Sequence, residues 1–301
     1  MSDVNKKNRI DAFGATILII FSALLGLNQV MVKVVNAGMN PIFQAGLRSV
    51  FAFLPVLLFA IFTRKTLSVR DGSLVPGIVT GIFFATEFIL LFTALDYTSI
   101  ARASIFFYTM PCWVTVGAHF LIPGNRLTSL RFLGLVLSVV GVVLALVEND
   151  IATTEKSLTG DIYCLIAAVF WAGIVLVIRT TPLAKTSPEM QLLYQLSVSA
   201  IILVPLSIYL GETFRSPDTF MWLVFAAQVL LVVCVGFLTW FWILSIYPPA
   251  SMASFSFLCP LFGVIFAWIF MNESISASIL GALVLVSLGI VLINRPSRTI
   301  N

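Results

Sequence analysis

Arg48, Glu87 and Arg102 are ionisable residues set in long apolar runs, and they are where the chemistry of this chain has to be sought. Residues 41–62 carry Arg48 as their one charge, and residues 74–95 carry Glu87 as theirs. A guanidinium in such surroundings could hold a carboxylate. A carboxylate there could take a proton or bind an ammonium group. Ionisable side chains at bilayer depth mark functional sites by default. The same two residues could instead pair with each other and fix helix register, and removal of either partner would be damaging in both cases.

The elements that must position them are helices. A spanning helix needs about 20 mostly apolar residues, and ten segments qualify: 12–35, 41–62, 74–95, 99–122, 128–147, 159–179, 187–210, 219–245, 248–270 and 276–293. Asn40-Pro41, Pro123-Gly124, Ser187-Pro188 and Pro248-Pro249 punctuate them. At about 1.5 Å per residue, Arg48, Glu87 and Asn28 fall roughly 10–12 Å below one face. Arg102 lies about 5 Å below it, close enough to snorkel. Trp171, Gln191, Tyr194, Gln195 and Trp240 form a layer of their own in the second half of the chain, where Gln195 matches Arg48 in the repeat. Trp171 and Tyr194 are deeper than an interfacial aromatic belt requires, so they join Asn28, Arg48, Glu87 and Gln195 as candidate substrate-binding residues.

Composition supports a membrane solvent throughout. Of 301 residues, 60% are apolar and 10% charged, and the mean hydropathy is +1.08. Soluble domains carry about 25% charged residues. The net charge of +4 comes from Lys and Arg scattered in short connections, which excludes a nucleic-acid surface. Cys112, Cys164, Cys234 and Cys259 lie in apolar runs without CxxC spacing and read as packing residues. With one histidine, His119, no metal site is expected, and nothing points to a cofactor. No phosphate-cradling P-loop is present either, which disfavours ATP-driven work. The run 12–35 is too long for a signal-peptide core and no cleavage site follows it, so it reads as an uncleaved first helix.

Orientation follows from loop Lys and Arg. With the N-terminus inside, the inner side collects Lys6, Lys7, Arg9, Arg64, Lys65, Arg70, Arg126, Arg131, Arg179, Lys185, Arg295 and Arg298. The outer side collects Lys33, Arg102, Lys156 and Arg215. Both termini are therefore expected in the cytoplasm, with the chain multi-pass in the cell (inner) membrane.

The chain also repeats itself. Pro41-Ile42-Phe43-Gln44 matches Pro188-Glu189-Met190-Gln191, Gly134 and Gly141 parallel Gly281 and Gly289, and Lys33 parallels Arg179. Pro111 and Pro260 fall at the middles of the fourth and ninth segments, where each removes a backbone hydrogen bond and kinks its helix. An odd number of helices per half forces the second half to enter from the opposite side. The expected fold is an all-α integral membrane protein of ten transmembrane helices in two inverted five-helix repeats, 12–147 and 159–293. Two such halves have two nearly equivalent packings, one open to each side, which is the construction of secondary transporters. The paired prolines are then candidate gating kinks.

Five stretches resemble the drug/metabolite transporter superfamily, in particular EamA-type carriers. Leu25-Gly26-Leu27-Asn28-Gln29-Val30-Met31-Val32-Lys33 is similar to the family's W-G-x-N-x-x-x-x-K, with Leu25 where Trp is usual. Leu47-Arg48-Ser49-Val50-Phe51 is similar to its helix 2 arginine motif, and Ala94-Leu95-Asp96-Tyr97-Thr98-Ser99 to its A-L-x-Y-T-S turn. Residues 123–128 are similar to its G-E-x-L-T ending, with Asn125 where Glu is usual, and Trp171-Ala172 to its W-A pair. The resemblance covers the whole chain. It implies ten helices in two EamA repeats and export of small metabolites, often amino acids and their relatives. A carrier of this kind could couple to protons or work by simple facilitated exchange.

Two other classes compete with a carrier. An intramembrane enzyme, such as a lipid-modifying transferase, needs paired carboxylates or a His with an acid in one layer, whereas Glu87 and His119 are far apart in sequence depth. A non-transporting membrane assembly component needs no inverted repeat with kinked, polar-lined helices. Gly134-x-x-x-Ser138 and Ala277-x-x-x-Gly281 allow close helix contact, either within the chain or between copies.

Overall fold

A computed structural model describes residues 10–123, 127–147, 155–211, 213–247, 252 and 255–294. The expectations placed on Lys6, Lys7, Arg9, Asn125, Arg126, Pro248-Pro249, Arg295 and Arg298 lie outside those residues. The chain is all-α, with helices α1 (Ala12–Asn36), α2 (Pro41–Phe62), α3 (Leu74–Tyr97), α4 (Ile100–Phe107), α5 (Met110–Leu121) and α6 (Ser129–Leu146) in its first half. The second half carries α7 (Glu155–Thr180), α8 (Pro188–Tyr209), α9 (Thr219–Ala227), a π-helical segment (Gln228–Gly236), α10 (Phe237–Ile246), α11 (Leu258–Met271) and α12 (Ala277–Ile293).

Local chemistry explains the boundaries. Asn40 and Ser187 cap α2 and α8 through their side chains, each followed by Pro at the first helical position, where its missing N–H costs nothing. Thr128 caps α6 and Ser276 caps α12 in the same way. The two halves thus repeat their start signals. Pro111 does more than kink the fourth segment. It sits in the first turn of α5, and the chain breaks at Tyr108 and Thr109, because a proline at 111 can neither donate to the Phe107 carbonyl nor clear it. Pro260 likewise occupies the first turn of α11, behind a turn at residues 255–257.

Eight of the ten expected spans are borne by helices long and apolar enough to cross a membrane, with α4 and α5 counted as one span and α9 with the π-helical segment as another. The last two expected spans hold shorter apolar helices, α11 of 14 residues and α12 of 17. The chain is a multi-pass membrane protein, and its packing relates two halves. α2 lies on α8, α6 on α12, and α3 on α7, while α1 meets α11, α9 and the π-helical segment.

Small residues set these contacts. A Cβ at Gly134 would lie 2.7 Å from the Gly289 carbonyl oxygen, and one at Gly141 would lie 2.9 Å from that of Ala282. The Gly134/Ser138 stripe therefore seats α12 within the chain. Gly281 faces only the flexible end of Leu144. Between α2 and α8, the Ser199 hydroxyl donates to Ser49 Oγ at 2.8 Å.

The connections gather in two sets. Asn40 N donates to Thr213 O at 2.9 Å, Arg215 N to Gly38 O at 2.7 Å, and Arg215 pairs with Asp96 at 2.6 Å. Lys33 pairs with Glu273 at 3.4 Å. At the other ends of the helices, Lys65 pairs with Glu189 at 3.2 Å, the Tyr247 hydroxyl donates to Asp11 at 2.6 Å, and Asn294 donates to Ser256 Oγ at 3.3 Å. On this second side Asp71 lies in the exposed 63–73 connection, where hydrogen bonds from Ser73 hold its carboxyl below the usual range.

Candidate functional site

Arg48 and Glu87 come together in the interior. Arg48 is 5% exposed and Glu87 2%. The ring nearest the Arg48 guanidinium, Phe88, directly follows Glu87 on α3, yet no direct ion pair or hydrogen bond joins the two charges. The guanidinium lies over two rings of α3, 4.9 Å from the centroid of Phe88 and 5.7 Å from that of Phe92. Such cation–π contacts stabilise a desolvated guanidinium by about 2 kcal/mol, without using its N–H groups. Arg48 Nη1 and Glu87 Oε2 are buried and make no hydrogen bond. Buried polar groups are normally satisfied, so this pair holds unused donor and acceptor capacity at bilayer depth. α3 runs two residues further than expected, to Tyr97, which puts Glu87 about 15 Å from that end.

The other predicted residues are distributed differently. Asn28 is half-buried, with Oδ1 unpartnered. Trp171 is half-buried against the main core, and Gln195 is half-buried on α8. Tyr194 lies elsewhere. Its hydroxyl is 3.0 Å from Ser73 Oγ, just before α3, and it packs with Leu183 and Met190. Glu87 is thirteen positions along α3 from Leu74, roughly 20 Å away along the axis. His119 accepts a hydrogen bond from Leu127 N at 3.3 Å and lies exposed at the end of α5. The cysteines are all buried and free.

Arg102 does not snorkel. It is 7% exposed and donates through Nε to both oxygens of Asp161, at 3.3 and 3.1 Å, with a third bond from Nη2. The Thr98 hydroxyl donates to the same carboxylate at 2.7 Å. Asp161 is wholly buried in α7, so Glu87 is not the only carboxylate inside a helix. It could have been found in the sequence as an acid two residues inside the sixth apolar segment. Nearby, Glu273 accepts from the N–H groups of Ile100 at 2.8 Å and Ala101 at 3.1 Å. It thereby caps α4 from the far half of the chain, where the helix dipole favours a negative charge. Lys33 Nζ donates to Thr98 O at 2.9 Å. This layer is fully bonded, unlike the Arg48 layer.

Sequence reasoning also missed a set of buried carboxamides. Gln44, one turn before Arg48 on α2, donates through Nε2 to Gln228 Oε1 at 3.4 Å. Asn36 Nδ2 donates to Phe92 O at 2.8 Å. Gln29 Oε1 accepts from the Ser104 hydroxyl at 2.6 Å, beside Gly263 of α11. Neutral amides carry little weight in a hydropathy pattern, and only their burial distinguishes them. No group of three or more metal-ligating side chains occurs among the described residues.

The sequence model of the EamA-like transporter family matches residues 12–147 and 158–295. The chain is 25% identical over 280 residues to the uncharacterized transporter YoaV of Bacillus subtilis (strain 168), covering 91% of this chain and 94% of that one. It is 28% identical over 227 residues to an uncharacterized transporter of Archaeoglobus fulgidus, covering 73% and 76%. It is 24% identical over 299 residues to a protein of Salmonella typhimurium (strain LT2) described as a probable amino-acid metabolite efflux pump, covering 94% of each. A crystal structure of 18% identity superposes with a TM-score of 0.65, covering 94% of this chain and 96% of that chain, and shares the fold.

Proposed function

The chain belongs to the EamA-like transporter family, and from that premise we propose that it exports small carboxylates, amino acids and their relatives among them, by alternating access around Arg48 and Glu87. Family membership makes it a membrane transporter of the drug/metabolite type, with a secondary-transport role and no enzymatic one. The observation that carries the finer reading is the Arg48–Glu87 pair, buried together with unused hydrogen-bonding atoms on both sides. Arg48 receives the substrate carboxylate. Glu87 receives its ammonium group or a coupling proton. Asn28, Trp171 and Gln195 line the same path, and Tyr194 acts from its place beside Ser73 as a brace on the inner end of α3. The breaks before Pro111 and Pro260 are the gating kinks, one in each half.

In this reading ten segments cross the cell membrane, in two inverted repeats (12–147 and 159–293), with both termini cytoplasmic. The two sets of connections described above support it, because alternate connections meet on each side. The Salmonella relative's description supports the substrate class.

The test is uptake of a panel of labelled amino acids into inverted membrane vesicles, with and without a pH gradient, for the wild type and Arg48→Gln. Accumulation of at least one amino acid or related carboxylate is expected, lost in Arg48→Gln. Absence of any such uptake, or wild-type rates in Arg48→Gln, would overturn the proposal.

A further inference from the structure

We propose that Gln44 and Gln228 form a specificity subsite beside Arg48, one that takes a neutral group able both to donate and to accept a hydrogen bond, a carboxamide above all. The inference rests on reading Arg48 as the carboxylate anchor and adds what the rest of the substrate must carry.

The two side chains come from different halves and are both wholly buried. One bond joins them, from Gln44 Nε2 to Gln228 Oε1. Two carboxamides facing edge to edge can close a ring with two such bonds, but here the second is not made. Gln44 Oε1 and Gln228 Nε2 are left without partners. The unpaired edge therefore offers one acceptor and one donor. A carboxamide fills both at once, because its N–H reaches the acceptor and its oxygen takes the donor. Reversing both amides exchanges the two roles and leaves the edge complementary to the same group. Asn36 Oδ1 adds a further unpartnered acceptor. Its own amide is tied to the carbonyl of Phe92, whose ring lies under Arg48.

Position links this edge to the charge site. Gln44 and Arg48 are four residues apart on α2 and share a face, about 6 Å apart along the axis. That separation suits a molecule with a carboxylate at one end and an amide a few bonds away. Gln228 opens the π-helical segment Gln228–Gly236, and such segments are rare and concentrate at functional sites. A purely structural link between α2 and that segment would gain from closing the ring, since a buried amide left unpaired costs about 1–3 kcal/mol. Two glutamines held with half their capacity unused fit a partner that comes and goes.

Asparagine and leucine test this directly, because their side chains share a shape and differ in the amide. The purified protein in detergent is titrated with each amino acid, by thermal shift and by equilibrium binding, for the wild type and for Gln44→Leu/Gln228→Leu. Replacing both partners leaves neither amide orphaned. A polar site rejects the analogue that leaves its groups unpaired, so wild type is expected to prefer asparagine by about tenfold or more. The double variant should lose that preference while retaining leucine. If the double variant fails to run as a folded species on size exclusion, Gln228→Asn withdraws the donor by one methylene and should cut asparagine binding alone. Equal affinity for the two amino acids in wild type, no binding of either, or an unchanged preference in a folded variant overturns the subsite. Retained discrimination in a protein that moves neither amino acid across vesicles overturns the transport reading instead.

Discussion

The guanidinium of Arg48 lies 4.9 Å above the ring of Phe88 and makes no direct ion pair with Glu87, the residue immediately before that ring on α3. A pair built only to lock helix register would close, because the Coulombic gain at contact is what offsets desolvation. Here the aromatic faces carry the cation, and the carboxylate keeps an oxygen unused.

Glu87→Gln keeps the shape of the side chain and removes its charge and its titration, with an amide donor in place of one carboxylate oxygen. The variant should express and insert at wild-type levels and lose the pH dependence of transport. Vesicle uptake at a series of pH values checks this. A wild-type pH profile in Glu87→Gln would leave the residue a structural neighbour of Arg48. Exchange of the two charges, Arg48→Glu with Glu87→Arg, should give a folded protein that does not transport.

The Arg102–Asp161 pair should behave in the opposite way. It is closed, hydrogen-bonded through both carboxylate oxygens, and reinforced by Thr98. Asp161→Ala strips a buried guanidinium of its carboxylate and should cost about 3 kcal/mol or more, read as a lower melting temperature in detergent. Arg102→Leu/Asp161→Leu should recover most of that loss. Equal melting temperatures for wild type and Asp161→Ala would show the pair to be idle.

Glycines on α6 and α12 provide a packing contrast. A methyl at Gly134 meets backbone of α12, which cannot move aside, whereas one at Gly281 meets only a Leu144 methyl at 3.1 Å. Gly134→Ala should destabilise by about 1–3 kcal/mol. Gly281→Ala should be neutral or slightly stabilising, since alanine favours the helix by about 1 kcal/mol over glycine. Thermal unfolding of the two variants side by side checks the difference.

Topology can be read by reporter fusions. Those after Arg70 and Arg298 should report cytoplasm, and one within 148–158 should report the outside. A C-terminus outside would require an odd number of crossings and remove the inverted repeat.

How much was legible beforehand depends on the kind of interaction. The sequence by itself determined the all-α membrane architecture and the boundaries of α1, α2 and α12 to within a residue, because a 20-residue apolar run has one good solution in lipid and caps such as Asn40-Pro41 are local chemistry. Burial of Arg48 and Glu87 was legible too, since a lone charge in an apolar run has nowhere else to go. Only the tertiary structure decided what those charges face. It paired Arg102 with Asp161 across 59 positions, moved Tyr194 away to Ser73, and broke the fourth helix at Tyr108 instead of bending it. It turned the Gly134 stripe inward against α12. The Gln44–Gln228 edge joins residues 184 apart, and neutral amides leave almost no trace in hydropathy. Contacts between helices depend on rotation about each helix axis, which is set by packing against neighbours distant in the chain and not by any local pattern of residues.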